Sequence, residues 1–173
     1  MPKAAAGASM EDADAQTREW EAQKRRERQF DGDTDTSALA GVARGLPEWQ
    51  RAQKLQSRAA RVGFDWPDPS PVIAKLHEEI EEVRVEFARG PVEANRERLE
   101  DEIGDVLFVC ANLARHAKVD VGTALRKANL KFERRFRCME RLAADAGTPL
   151  QSLSLPEQEQ YWLRAKRLER GQE

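Results

Sequence analysis

At 173 residues the chain has room for one domain with a sizeable core. Charged residues make up 35% and hydrophobic ones 40%, a balance suited to helices with long polar faces, and a formal net charge of −2 offers no basic excess for nucleic acid. No run approaches the length of a membrane span, and Met1-Pro2-Lys3 with the small residues that follow lacks the apolar stretch of a signal peptide. With no membrane contact expected, and with Cys110 and Cys138 in no metal or redox spacing, the reading is reduced thiols and a cytoplasmic location.

In chain order, residues 1–38 read as a flexible arm: an Ala/Gly/Ser start, a charged run, and the turn-rich Asp31-Gly32-Asp33-Thr34-Asp35. Residues 39–173 read as one all-α domain. A first helix is expected over 47–62, with Trp49, Ala52, Leu55 and Ala59 at helical spacing, ended by Gly63-Phe64-Asp65-Trp66-Pro67. Ser70 as cap and Pro71 at the first position open a second helix that runs to Gly90. A third spans 93–117. Asp120 caps a long fourth helix to Ala146, and a Ser154-to-Glu157 capping box starts a fifth that ends near Gly171. No alternating strand pattern of useful length and no repeat is present.

The second and third helices carry Glu78-Glu79-Ile80-Glu81-Glu82 and Glu102-Ile103-Gly104-Asp105, about equally far from the break at Arg89-Gly90-Pro91. At about 1.5 Å per residue, a hairpin turning there climbs roughly 15 Å and descends about as far, bringing both clusters to one height. Glu79 and Glu82 share a helix face, as do Glu102 and Asp105. At ~5 Å and an effective dielectric of about 20, each such pair repels by roughly 3 kcal/mol, so a fold that gathers them needs a cation. Oxygen-only ligands suit Mg²⁺ or Mn²⁺. Glu78 and Glu81 fit a solvated face. The apolar stripes expected against the hairpin partner are Ile73, Leu76, Ile80, Val83 and Phe87, and Leu99, Ile103, Val106, Cys110 and Leu113. Residues 106–111 are apolar all round, more than neighbours within one chain can cover, so a second subunit against Phe108 is expected.

On the fourth helix, Leu125, Phe132, Phe136, Met139 and Leu142 form the expected apolar stripe, with Asn129 inside it. Lys127, Lys131, Arg134 and Arg135 line the adjoining face. A salt-bridged solvated face accounts for them in one reading. In the other they clamp a triphosphate, with Lys as point charge, Arg as planar fork and Asn near the metal.

These residues together resemble the MazG family of nucleoside triphosphate pyrophosphohydrolases, in particular its C-terminal domain, over residues 39–166. The family pattern EExxE followed by ExxD stands here as Glu78 to Glu82 and Glu102 to Asp105. Gly63-Phe64-Asp65-Trp66, Gly104-Asp105-Val106-Leu107-Phe108 and the stretch from Lys127 to Phe136 make the likeness specific. It implies an all-α, four-helix-bundle-like fold, a homodimer or higher homo-oligomer, and hydrolysis of an NTP to NMP and pyrophosphate. It implies Mg²⁺ on Glu79, Glu82, Glu102 and Asp105, a base in Glu79 or Glu78, and phosphate contacts from Lys127, Asn129, Lys131 and Arg135. Trp162 and Lys166 match a segment that closes over the nucleotide. A dCTP- or dUTP-type or phosphoribosyl-ATP pyrophosphohydrolase of related fold, and a non-catalytic helical dimerisation module, are the alternatives. A di-iron bundle is set aside, because neither His77 nor His116 follows a Glu by three residues.

Overall fold

The computed structural model describes residues 35–171, together with Glu19 and Gln23. The expected arm therefore lies outside the described residues except at those two positions and at 35–38. The chain divides into two compact units, Met1–Gly41 and Val42–Glu173. In the first, Asp35 Oδ1 accepts from the Ser37 amide at 2.9 Å and the Ala40 amide donates to Ser37 O at 3.0 Å, closing a turn.

The second unit is all-α, as expected, with no strand among the described residues. Its helices are α1 (Glu48–Arg61), α2 (Pro69–Ala88), α3 (Arg96–His116), α4 (Val121–Asp145) and α5 (Leu155–Glu169), with single 3₁₀ turns at Val92–Ala94 and Leu150–Ser152. None is long and apolar enough to cross a membrane.

Local chemistry sets the boundaries. Gly63, at φ +88°, takes the left-handed turn after α1, so its amide reaches Ala60 O and that of Phe64 reaches Ala59 O, each at 3.1 Å. The α2 cap corrects the sequence reading: Asp68, not Ser70, is the cap, and its Oδ1 accepts from the Ser70 amide at 2.8 Å. Asp is as good an acceptor there, and starting earlier places both Pro69 and Pro71 in the first turn, where no amide is needed. Asp120 caps α4 through the Thr123 amide at 2.7 Å, and Ser154 and Glu157 form the expected reciprocal box on α5.

The tightest packing is α2 on α3, an antiparallel hairpin; α4 packs on α5, α1 covers α3, and α1 touches α4 more lightly. Gln56 ties α1 to α3 by donating its Nε2 to Phe108 O at 2.7 Å. The buried apolar side chains are Val72, Leu99, Val109, Ala111, Met139, Ala143 and Ala165. This corrects the expected stripes. Ile73, Ile80 and Phe87 of α2 are exposed, and the helix turns Val72, Glu79 and Glu86 inward instead. Ile103 of α3 is also exposed. A stripe drawn through the apolar residues misses a seam whose inward positions are partly acidic, because those acids are held by partners that hydropathy does not register. On α4, Met139 is buried but Leu125, Phe132 and Phe136 are exposed, and Asn129 is exposed rather than enclosed in a stripe.

Candidate metal and nucleotide site

The hairpin seam repeats every seven residues. On α2 it runs Val72, Glu79, Glu86; on α3 it begins at the preceding cap residue Asn95 and continues through Glu102 and Val109 in the opposite direction. Equal spacing on both sides of the turn puts Glu86 level with Asn95, Glu79 with Glu102, and Val72 with Val109. At the turn, Asn95 Nδ2 donates to both Glu86 O (2.7 Å) and Glu86 Oε2 (2.8 Å), and Arg89 pairs with the other carboxylate oxygen.

The middle rung gathers the acids. Glu79, Glu102 and Asp105 each offer a carboxylate oxygen within 4.8 Å of the others. Glu79 is only 4% exposed. Its Oε1 lies 2.7 Å from Lys75 Nζ, while its Oε2 is buried with no hydrogen-bond partner. Glu82 sits alongside. Its carboxyl is pushed above the usual carboxylate range, first by the Glu79 carboxylate next to it, then by desolvation and by the charge of Glu102. Three of the four expected ligands thus share one small volume, and the fourth, Glu82, lies exposed beside Glu79.

The residues fit a hard divalent cation. The donors are all carboxylate oxygens, and one buried acceptor lacks a donor, which otherwise costs of order 1–3 kcal/mol. Glu79, Glu102, Asp105 and Glu82 are the residues that would hold it. Glu78 stands outside this group: its side chain is 59% exposed and takes Lys75 Nζ at 2.8 Å.

Lys75 is the residue that sequence reading missed. It bonds Glu78 and Glu79 together, and these bonds, to Glu78 first, raise its pKa. The signal was present as Lys75 and Glu79 at i,i+4, but that spacing ordinarily marks a surface pair. Only the burial of Glu79 separates the two cases.

Beyond Val72 and Val109 the seam ends in a second polar cluster. Asp65, on the loop before α2, pairs with Arg115 and lies 3.3 Å from His116 Nε2. Arg115 also donates to Asn112 Oδ1 from Nε at 3.0 Å and from Nη2 at 2.8 Å. The Arg115 bond, more than any other influence, holds the Asp65 carboxyl below its usual range.

The expected phosphate contacts divide in two. Lys127, Lys131 and Arg134 line an open cavity of about 380 Å³ with Ala124, Ala128 and Leu130. Arg135 turns elsewhere: its Nε donates to Glu169 Oε2 at 2.6 Å, and its guanidinium lies 5.8 Å from the Trp162 ring centroid. Trp162 in turn meets Phe132 at 5.4 Å between centroids. Arg134 also reaches Glu169, at 2.7 Å. Lys166 is half-buried on α5, and Asn129 is exposed. These groups belong to α4 and α5, whereas the carboxylates face one another across α2 and α3.

Residues 68–138 match the MazG nucleotide pyrophosphohydrolase domain. The chain is 42% identical to a nucleoside triphosphate pyrophosphohydrolase of Escherichia coli K12 over 168 residues, 97% of this chain and 62% of that protein. It is 38% identical over 149 residues to the nucleoside triphosphate pyrophosphohydrolase/pyrophosphatase MazG of Thermotoga maritima, 86% of this chain and 54% of that one. It therefore spans only about half to three-fifths of the length of these relatives.

Proposed function

We propose that this chain, whose residues 68–138 match the MazG nucleotide pyrophosphohydrolase domain, hydrolyses nucleoside triphosphates to monophosphate and pyrophosphate, using Mg²⁺ or Mn²⁺ on Glu79, Glu82, Glu102 and Asp105. The observation that carries the reading is the buried, unpartnered Oε2 of Glu79 beside Glu102 and Asp105. Bound there, a divalent ion would supply charge neutralisation and an acidified water.

The chain's own residues supply the rest. Glu79, or Glu78 one residue earlier, accepts the proton of the attacking water. Burial of Glu79 strengthens the charge–charge contacts it makes with its neighbours. Lys127, Lys131 and Arg134 receive the departing phosphates, and the open cavity they line supports that role. Arg135, Asn129, Trp162 and Lys166 form the nucleotide-facing edge of α4 and α5, with Arg135 oriented by Glu169 and Trp162. Cytoplasmic action accords with Cys110 and Cys138, both free thiols.

The working form is a homodimer or higher homo-oligomer. Ile73, Ile80 and Phe87 leave an uncovered line on α2, and Leu107 and Phe108 are exposed on α3. Next to these a cavity of about 360 Å³, lined by Trp49, Leu55, Leu107 and Phe108, opens between α1 and α3, on the side of α3 away from Glu102 and Asp105. The test is product identification over a panel of nucleotides with and without EDTA. Metal-dependent release of pyrophosphate and monophosphate is expected; release of inorganic phosphate instead, or turnover indifferent to EDTA, overturns the reading.

A further inference from the structure

We propose that Asn95, acting through Glu86, is a positioning residue for the carboxylate site: it holds α2 and α3 at the register in which Glu79 faces Glu102. The inference rests on the divalent-metal reading of those carboxylates. Asn95 is the cap residue of α3, a place where an Asn side chain ordinarily bonds its own helix. Here it makes no such bond. Its amide instead crosses the turn and donates to Glu86 O at 2.7 Å and Glu86 Oε2 at 2.8 Å.

Glu86 is an equally costly local choice. It is a carboxylate in the last turn of α2, where the helix dipole opposes negative charge, and it is 4% exposed. Asn95 forgoes the bond to its own helix, Glu86 is ill placed at the end of its own, and the two meet across the turn while Arg89 takes the other Glu86 oxygen. Departures from local rules that compensate one another in this way mark a position held for another purpose.

The spacing says which purpose. Glu79 lies seven residues before Glu86, and Glu102 seven after Asn95. Two helical turns, about 10.5 Å, separate clamp from acids on each side. A slip of one residue at the clamp would move a carboxylate by about 1.5 Å and swing it about 100° off the seam. Metal sites tolerate a few tenths of an ångström. The Val72 and Val109 rung cannot oppose such a slip by itself, since apolar contact has no fixed direction.

The experiment is Mn²⁺ titration of the full chain by calorimetry and electron paramagnetic resonance, with helicity followed by circular dichroism. Asn95→Ala should stay helical and bind Mn²⁺ about 10–100-fold more weakly, as expected when support behind a ligand is lost. Asn95→Asp, which sets two carboxylates against each other, should do worse. Adding Glu86→Gln to Asn95→Asp reverses donor and acceptor in the side-chain bond but not in the bond to Glu86 O, and should recover part of the affinity lost in Asn95→Asp, which also covers the case in which Asn95→Ala does not fold. Wild-type Mn²⁺ affinity in folded Asn95→Ala, or a double variant no better than Asn95→Asp, overturns the proposal by showing the clamp to be a turn lock and no more. A wild-type chain that binds no Mn²⁺ removes the metal reading and this inference with it.

Discussion

The α2–α3 hairpin and the α4–α5 pair treat their charged residues in opposite ways. In the hairpin, Glu79 and Glu86 face inward, Glu102 is half-buried, and the seam is fixed from both ends, by Asn95 and Glu86 at the turn and by Asp65, Arg115 and His116 at the open end. In the other pair the cations face out: Lys127, Lys131 and Arg134 line an open cavity, and Phe132 is 57% exposed. One region gathers like charges that repel; the other spreads its cations along an open cavity, with Arg134 alone of the three tied to Glu169. Preorganisation is needed where oxygens must converge within a few tenths of an ångström. Lysine needs no such support, because its charge acts as a flexible point.

The contrast can be broken at its strongest point by Glu102→Gln. Turnover should fall by about a thousandfold or more, in line with loss of a central electrostatic group, while the melting temperature in EDTA holds or rises as repulsion is relieved. Ordinary activity at millimolar Mg²⁺ would mean that the convergence of carboxylates is incidental. Next in size, Phe108→Glu should cost about 2–4 kcal/mol, seen as dissociation or unfolding in sedimentation over a dilution series. A compact active species at the chain mass of 19.6 kDa would show that the back of the hairpin needs no cover.

Within the α4–α5 pair the two kinds of cation should separate. Lys131→Ala should weaken triphosphate binding by roughly one to two orders of magnitude, the worth of a charge-assisted contact of about 1.5–3 kcal/mol, with little change in melting. Arg135→Ala should lower melting as well, because Glu169 and Trp162 lose their shared partner. Equal melting loss in both variants would erase the distinction.

The smallest effect concerns acid. Arg115 depresses the Asp65 carboxyl in the folded state, so this pair stabilises the fold above the ordinary aspartate pKa and loses that contribution as pH falls through the folded value. Asp65→Asn should flatten this part of the stability–pH curve by up to about 1 kcal/mol. An unchanged curve in chemical denaturation between pH 2 and 5 would show the open end of the hairpin to be electrostatically neutral.

Helix number, most caps and the meeting of Glu79 with Glu102 and Asp105 were legible in the sequence because they rest on local rules: spacing, capping chemistry, and the equal distance of both clusters from Gly90. What was not legible came from contacts across the turn. The seam could not be phased from hydropathy, since Glu79 and Glu86 occupy positions that apolar residues were expected to fill. Lys75 looked like half of a surface pair until Glu79 proved buried. Arg135 reads identically to Arg134 in sequence, both reach Glu169, and only the Trp162 ring, more than twenty residues away, distinguishes it.

The clamp at the turn also sets where this chain can change length. Residues Gly90 to Ala94 lie between Glu86 and Asn95, so a residue added there bulges outward and leaves the bond, and everything beyond it, unmoved. A residue added between Asn95 and Glu102 turns Glu102 and Asp105 by about 100° relative to α2 and scatters the acids while keeping every one of them. Relatives with longer or shorter hairpin tips can therefore retain the site, whereas a single insertion in the first two turns of α3 abolishes it without touching a functional residue.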